Sequence, residues 1–277
     1  MVNQVFKKEL RLHNCGFSHD PVDSLMRSQW QSTSKNVFYL IYRWLVAIFV
    51  VAVVGIALEA HLRKYTMGTF FVYLTRWGIT TNMIVGVYGA VLVTIWHFHT
   101  DYQERILKNK RMPTSFKIYW ALHNIALVTS FVITIVYWSV LHVNKKRVDL
   151  PNILSHAMNS VIMFIDILIV AYPMRLYHVI QPLCFGVCFG VFSYIYHLCG
   201  GVNQHGAHFI YPVLNWAKPG KALITVTSVL LLVIIMHMIL FCVYKLRVST
   251  QRRLYRTASL PKDESQTFSS SSLDSYL

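Results

Sequence analysis

Six stretches of the chain are apolar almost without interruption, and polar residues collect in the short segments between them. Residues 118–143, 179–199 and 222–244 contain no Asp, Glu, Lys or Arg. Each exceeds the roughly 20 residues that a helix needs to cross hydrocarbon. Residues 78–96 are also free of charge, while 37–58 hold only Arg43 and 153–172 only Asp166. Lipid offers the backbone no hydrogen-bond partner, so such runs must be helices or strands of a closed barrel. Barrel strands alternate apolar and polar residues over about ten positions; these runs do not alternate. The pattern predicts an all-α fold, a polytopic membrane bundle with helices near 37–60, 69–96, 116–143, 153–172, 178–200 and 221–245. Residues 1–36 then form an N-terminal tail, 37–245 one membrane domain, and 246–277 a basic, Ser-rich and disordered C-terminal tail. Between the fifth and sixth runs, Gly200-Gly201, Tyr211-Pro212 and Pro219-Gly220 preclude a regular span, so 201–220 should fold over one mouth of the bundle.

Composition agrees with this reading. Hydrophobic residues make up 55% of the 277 and charged residues 13%, against about 25% charged in soluble domains; mean hydropathy is +0.45. The net charge of +15 raises the question of nucleic acid, which the distribution answers. Leaving aside Arg43 and Arg76 within spans, seventeen Lys and Arg fall on the side of the two tails and seven on the other. That bias orients both ends into the cytoplasm and turns the excess charge toward anionic lipid. No nucleic-acid partner is implied. Met1–Lys35 lacks the apolar core and cleavage site of a signal peptide, so the first span is expected to serve as an uncleaved anchor. Cys184, Cys188, Cys199 and Cys242 sit in the spans as small hydrophobes, and no structural disulfide is expected. His97-x-His99 with Asp101, and His205-x-x-His208, have ligand-like spacing but lie at helix ends or in a loop; no metal and no cofactor is expected.

Polar side chains inside spans are costly and are the first candidates for function. At 1.5 Å per residue, Thr75, His156, Asn159 and His197 fall at one depth, beneath the expected cover. A second group, Arg43, His123 and Asp166, falls toward the tails, and an ion pair of Asp166 with Arg43 or His123 would make that charge tolerable. Asn, Thr and His also serve as hydrogen-bonding glue between membrane helices.

Several stretches resemble the rolling stone proteins: Arg27-Ser28-Gln29-Trp30-Gln31, Tyr73-Leu74-Thr75-Arg76-Trp77-Gly78, His156-Ala157-Met158-Asn159-Ser160, Pro173-Met174-Arg175, and Ile210-Tyr211-Pro212-Val213-Leu214-Asn215-Trp216. The resemblance implies a multi-pass plasma-membrane protein acting in cell–cell interaction of the myoblast-fusion kind, with the endoplasmic reticulum as the alternative location and membrane lipid as its surroundings. A more distant similarity is to the androgen-induced transmembrane hydrolases, which cleave fatty acid esters with an intramembrane Thr and His. Tyr73-Leu74-Thr75 matches the nucleophile's setting, and His197 before Cys199-Gly200 matches another family histidine. The catalytic His position is occupied here by Asn159. Asn cannot take a proton from a Thr hydroxyl, so an active enzyme would need His156 or His197 as its base.

The tail carries two local signals. Ser275-Tyr276-Leu277 has the form that PDZ domains read by strand addition, with Leu277 in the apolar pocket and Ser275 hydrogen-bonded. Arg256-Thr257-Ala258-Ser259 places Ser259 in a basophilic kinase context, where phosphate would weaken the tail's hold on anionic lipid.

Overall fold

A computed structural model describes residue 9, residues 12–142 and residues 148–259. The Ser275 and Leu277 motif, and the side chain of Ser259, lie outside the described residues. In chain order the helices are α1 (Val37–Leu62), α2 (Leu74–Phe98), α3 (Thr100–Asn109), α4 (Thr114–Leu141), α5 (Leu150–Ile169), α6 (Leu176–Leu198) and α7 (Pro219–Ser259). All but α3 are long and apolar enough to cross a membrane. Among the described residues there is no β-sheet, only the isolated bridges Ser28–Val170 and Tyr211–Leu214.

Helix α4 is the hub: α2, α5, α6 and α7 all pack on it. Phe116, Trp120, Ala126, Leu127 and Val128 along it are fully buried. Helix α1 joins through α2, and Asn36 caps its start by accepting a hydrogen bond from the amide of Tyr39 at 3.2 Å. The α1–α2 contact is close because α2 presents glycine to it. A Cβ at Gly86 would press on Val50, and one at Gly89 would overlap the Arg43 guanidinium and the Tyr119 ring. The outward faces are apolar, as lipid requires; Phe38, Ile48 and Ile224 are 83%, 62% and 68% exposed. The five cysteines are free and exposed.

A test of the packing follows. Gly89→Val should lower stability by about 1–3 kcal/mol through overpacking. Gly55→Val, on the lipid face with nothing within 4 Å of an added Cβ, should leave it unchanged. Thermal unfolding of both variants in the same detergent checks this; equal midpoints would mean that Gly89 is not a packing contact.

Four details depart from the sequence expectation. Residues 69–72 belong to a 3₁₀ turn, Met67–Val72, and α2 starts at Leu74, where Tyr73 is extended. The fourth run stops being helical at Ile169: Val170 is extended and pairs with Ser28, and Pro173 disfavours helix in the residue before it. The sixth helix continues to Ser259, where a disordered tail was expected from 246. It continues because Arg247 is buried and donates to the carbonyls of Ile167 at 2.6 Å, Val170, and Tyr172 at 2.8 Å. Finally, the described part of the N-terminal segment is docked. Ser28 Oγ donates to the Ile169 carbonyl at 2.9 Å, Trp30 Nε1 to the Leu168 carbonyl at 2.8 Å, and Gln29 Nε2 to Gln251 Oε1 at 2.8 Å.

Candidate functional site

Two polar assemblies and one apolar cleft lie inside the bundle. The first assembly gathers Arg43, His123 and Asp166. Arg43 Nη1 donates to Asp166 Oδ1 at 2.7 Å, and His123 Nε2 meets Asp166 Oδ2 at 2.6 Å. Tyr42 adds its hydroxyl to Asp166 Oδ1 at 2.8 Å, and Arg43 Nη2 donates to the Tyr119 oxygen at 2.7 Å. The aspartate thus takes three donors from α1 and α4, and the guanidinium is clamped at both ends. The Arg43 and Asp166 side chains are 1% and 3% exposed. A charge at that depth is tolerable only when paired and hydrogen-bonded. Tyr42 and Tyr119 escaped sequence reasoning because tyrosines in apolar runs read as ordinary core.

The second assembly involves Asn159. Asn82 Nδ2 on α2 donates to Ser130 Oγ on α4 at 2.9 Å and to Asn159 Oδ1 on α5. Three helices are joined through one carboxamide, the kind of interhelical bonding that membrane bundles use.

The cleft has a volume of about 80 Å³ and runs between α2, α4, α6 and α7, with Tyr211, Val213 and Leu214 of the covering loop above it. The cover is built as the turn residues dictate: Asn203 Oδ1 accepts from the amides of His205 at 2.8 Å and Ala207 at 3.1 Å. It is tied down by Trp216 Nε1 donating to Ser193 Oγ at 3.0 Å. Tyr211 reaches the start of α2, where its oxygen accepts the Leu74 amide at 3.0 Å, one of the orphan donors of a helix N-terminus. Its hydroxyl also bonds Thr75, and burial pushes the phenol pKa well up.

Of the four residues expected at this depth, the cleft is lined only by Thr75. His156 lies in a π-helical turn, Leu154–Met158, and stacks face to face on Tyr137 with centroids 3.4 Å apart. Tyr137, in a matching π turn of α4, lines the cleft; His156 does not. Asn159 is engaged with Asn82, and His197 Nδ1 sits 3.2 Å from the His208 carbonyl in the loop. The expectation of one level fails: Asn159 meets Asn82, seven residues or about 10 Å further along α2 than Thr75, while His156 turns to Tyr137 and His197 to the loop. Among the described residues the cleft walls carry no His, Asp, Glu, Lys or Arg. A phenol held protonated cannot draw a proton from Thr75, so among the described residues the hydroxyl has no general base beside it. Among the described residues, no group of three or more His, Cys, Asp and Glu could hold a metal ion.

The fold and interior define a six-span helical membrane protein with a charged cluster in one region of its core and an apolar cleft in another. The chain belongs to the rolling stone family: the family model described as "Protein rolling stone" matches residues 2–261. It is 37% identical over 249 residues to "Protein rolling stone" of Drosophila melanogaster, an alignment covering 87% of this chain and 90% of that protein. No solved structure matches the chain.

Proposed function

We propose that this protein acts at the plasma membrane in cell–cell interaction leading to fusion, with both ends in the cytoplasm. Family membership carries the reading, and the surroundings of Thr75 weigh against ester cleavage: its partner is a protonated phenol, and His156 and His197 are engaged elsewhere. A family-wide role other than ester cleavage fits an interior bound up in interhelical hydrogen bonds. A content-mixing assay tests it, using two cell populations with separate fluorophores. Expression of the chain should raise mixing over vector, and Asp166→Ala, which dismantles the core, should abolish the gain. Mixing equal to vector at matched surface expression would end the proposal. In the same cells, tags at either end should be stained only after permeabilisation; labelling on intact cells would reverse the orientation.

One observation favours a second reading, a Thr-dependent lipid esterase: Thr75 does face an apolar cleft. A fluorophosphonate probe should then label wild type but not Thr75→Val. Absence of labelling in wild type would remove the esterase reading.

A further inference from the structure

The end of the bundle that carries residues 12–36 also holds a hollow of about 540 Å³. Among the described residues, four that line it are cations, Lys110, Arg111, Lys117 and Arg175, and Asp20 is the one acid in the lining. They come from three separate places. Lys110 ends α3 in a left-handed conformation, φ 50°, which turns the chain sharply at Lys110-Arg111. Lys117 lies in the first turn of α4, and Arg175 directly precedes α6. Arg175 is held by neutral partners: its guanidinium donates to Asn14 and to the Ser18 carbonyl, and its Cζ lies 5.5 Å from the Trp120 ring centroid, while Glu9, near enough to act on its charge, is itself paired with Lys245. Among the described residues, none of the four is in an ion pair. His19 also lines the hollow but stays neutral, because burial and then Arg175 lower its pKa to about 4.

We propose that this hollow binds the headgroup of an inositol phospholipid bearing phosphate monoesters. Four cations against one carboxylate leave an unbalanced positive charge that one phosphodiester cannot match, whereas each phosphate monoester brings about −1.5 to −2 and three acceptor oxygens. Arginine held in a rigid frame suits such oxygens, and basic hollows between spans are known headgroup sites. The placement argues for a lipid over a soluble anion. Lys117 and Arg175 stand where two spans begin, and the neighbouring Ile118 is 48% exposed on the lipid-facing side. A headgroup in the hollow would leave its acyl chains beside α4. The inference does not depend on the fusion role.

The test uses the full-length chain purified in detergent and isothermal titration calorimetry with short-chain lipids. Dioctanoyl phosphatidylinositol bisphosphate should bind at least about tenfold tighter than dioctanoyl phosphatidylserine. Lys110→Gln with Lys117→Gln should weaken that binding about tenfold or more, since each basic residue near the surface contributes appreciably to anionic-lipid binding. Both lysines are exposed, so the unfolding midpoint should not move. Arg63→Gln with Lys64→Gln, at the opposite end, should bind as wild type does. Inositol trisphosphate should compete and inorganic phosphate at the same concentration should not. Equal affinity for the two lipids, an unweakened double variant, or failure of inositol trisphosphate to compete would each overturn the proposal. Displacement by inorganic phosphate would make this a free-phosphate site and would overturn the lipid assignment.

Discussion

Asp166→Ala is expected to lower stability by about 3–5 kcal/mol, the usual cost of removing one partner from a buried ion pair. Deleting the carboxylate leaves the Arg43 guanidinium buried with only the Tyr119 oxygen, and strands the donors of Tyr42 and His123. Arg43→Met should be similarly damaging, because it leaves the carboxylate without its cation. The combination Arg43→Met with Asp166→Leu is the informative variant. Removing both charges abolishes both desolvation costs, so the double variant should be less destabilised than the sum of the singles, with a coupling of at least about 2 kcal/mol. Unfolding in mixed detergent micelles of wild type, Arg43→Met, Asp166→Leu and the double variant, all under one condition, gives the cycle. Additive losses would mean that the two residues act independently and that the short contact between them carries little energy.

Arg247→Ala should rank next, at about 3 kcal/mol or more. The side chain satisfies three carbonyls that no helix can serve, those of Ile167 in the last turn of α5 and of Val170 and Tyr172 just beyond it. Hydrogen bonds to a charged donor contribute about 1.5–3 kcal/mol each, and buried carbonyls left without donors add a desolvation cost. Arg247→Lys should recover only part of the loss, since an ammonium cannot reproduce the planar fork that spans three acceptors. The readouts are thermal unfolding and the protease sensitivity of α7 beyond residue 245. A variant that melts within about 0.5 kcal/mol of wild type and resists protease equally would show that the α7 extension is held by something other than Arg247.

The six helices were legible because lipid imposes a coarse code: a run either is long and uncharged or is not. The need of Asp166 for a partner was legible for the same reason, since a carboxylate between apolar turns forces the question of its cation. What stayed hidden depends on how the helices are set against one another. Asn159 was expected at the depth of Thr75, yet it meets Asn82, seven residues or about 10 Å further along α2, and the Asn82–Asn159–Ser130 bonds lie off the cleft that Thr75 lines. Asn82 gave no signal beyond being an amide in a span. The π turns at Tyr137–Leu141 and Leu154–Met158 were equally silent, because they occur where the Tyr137 and His156 rings stack across two helices. The extension of α7 was misread because a basic, polar composition suggests a solvated tail, whereas Arg247 is 3% exposed.

The docked segment around Arg27–Gln31 has a consequence for biogenesis. Its partners are Leu168 and Ile169 in the last turn of α5, Ala171 just beyond it, and Gln251 and Tyr255 at the far end of α7. Residues made before all six spans therefore find their last partners only when the final span is in place. Until then the segment lacks the partners that seat it. Its seating therefore distinguishes a finished bundle from an unfinished one. A nascent chain arrested before Gln251 would carry the segment loose, however well its first five helices had packed.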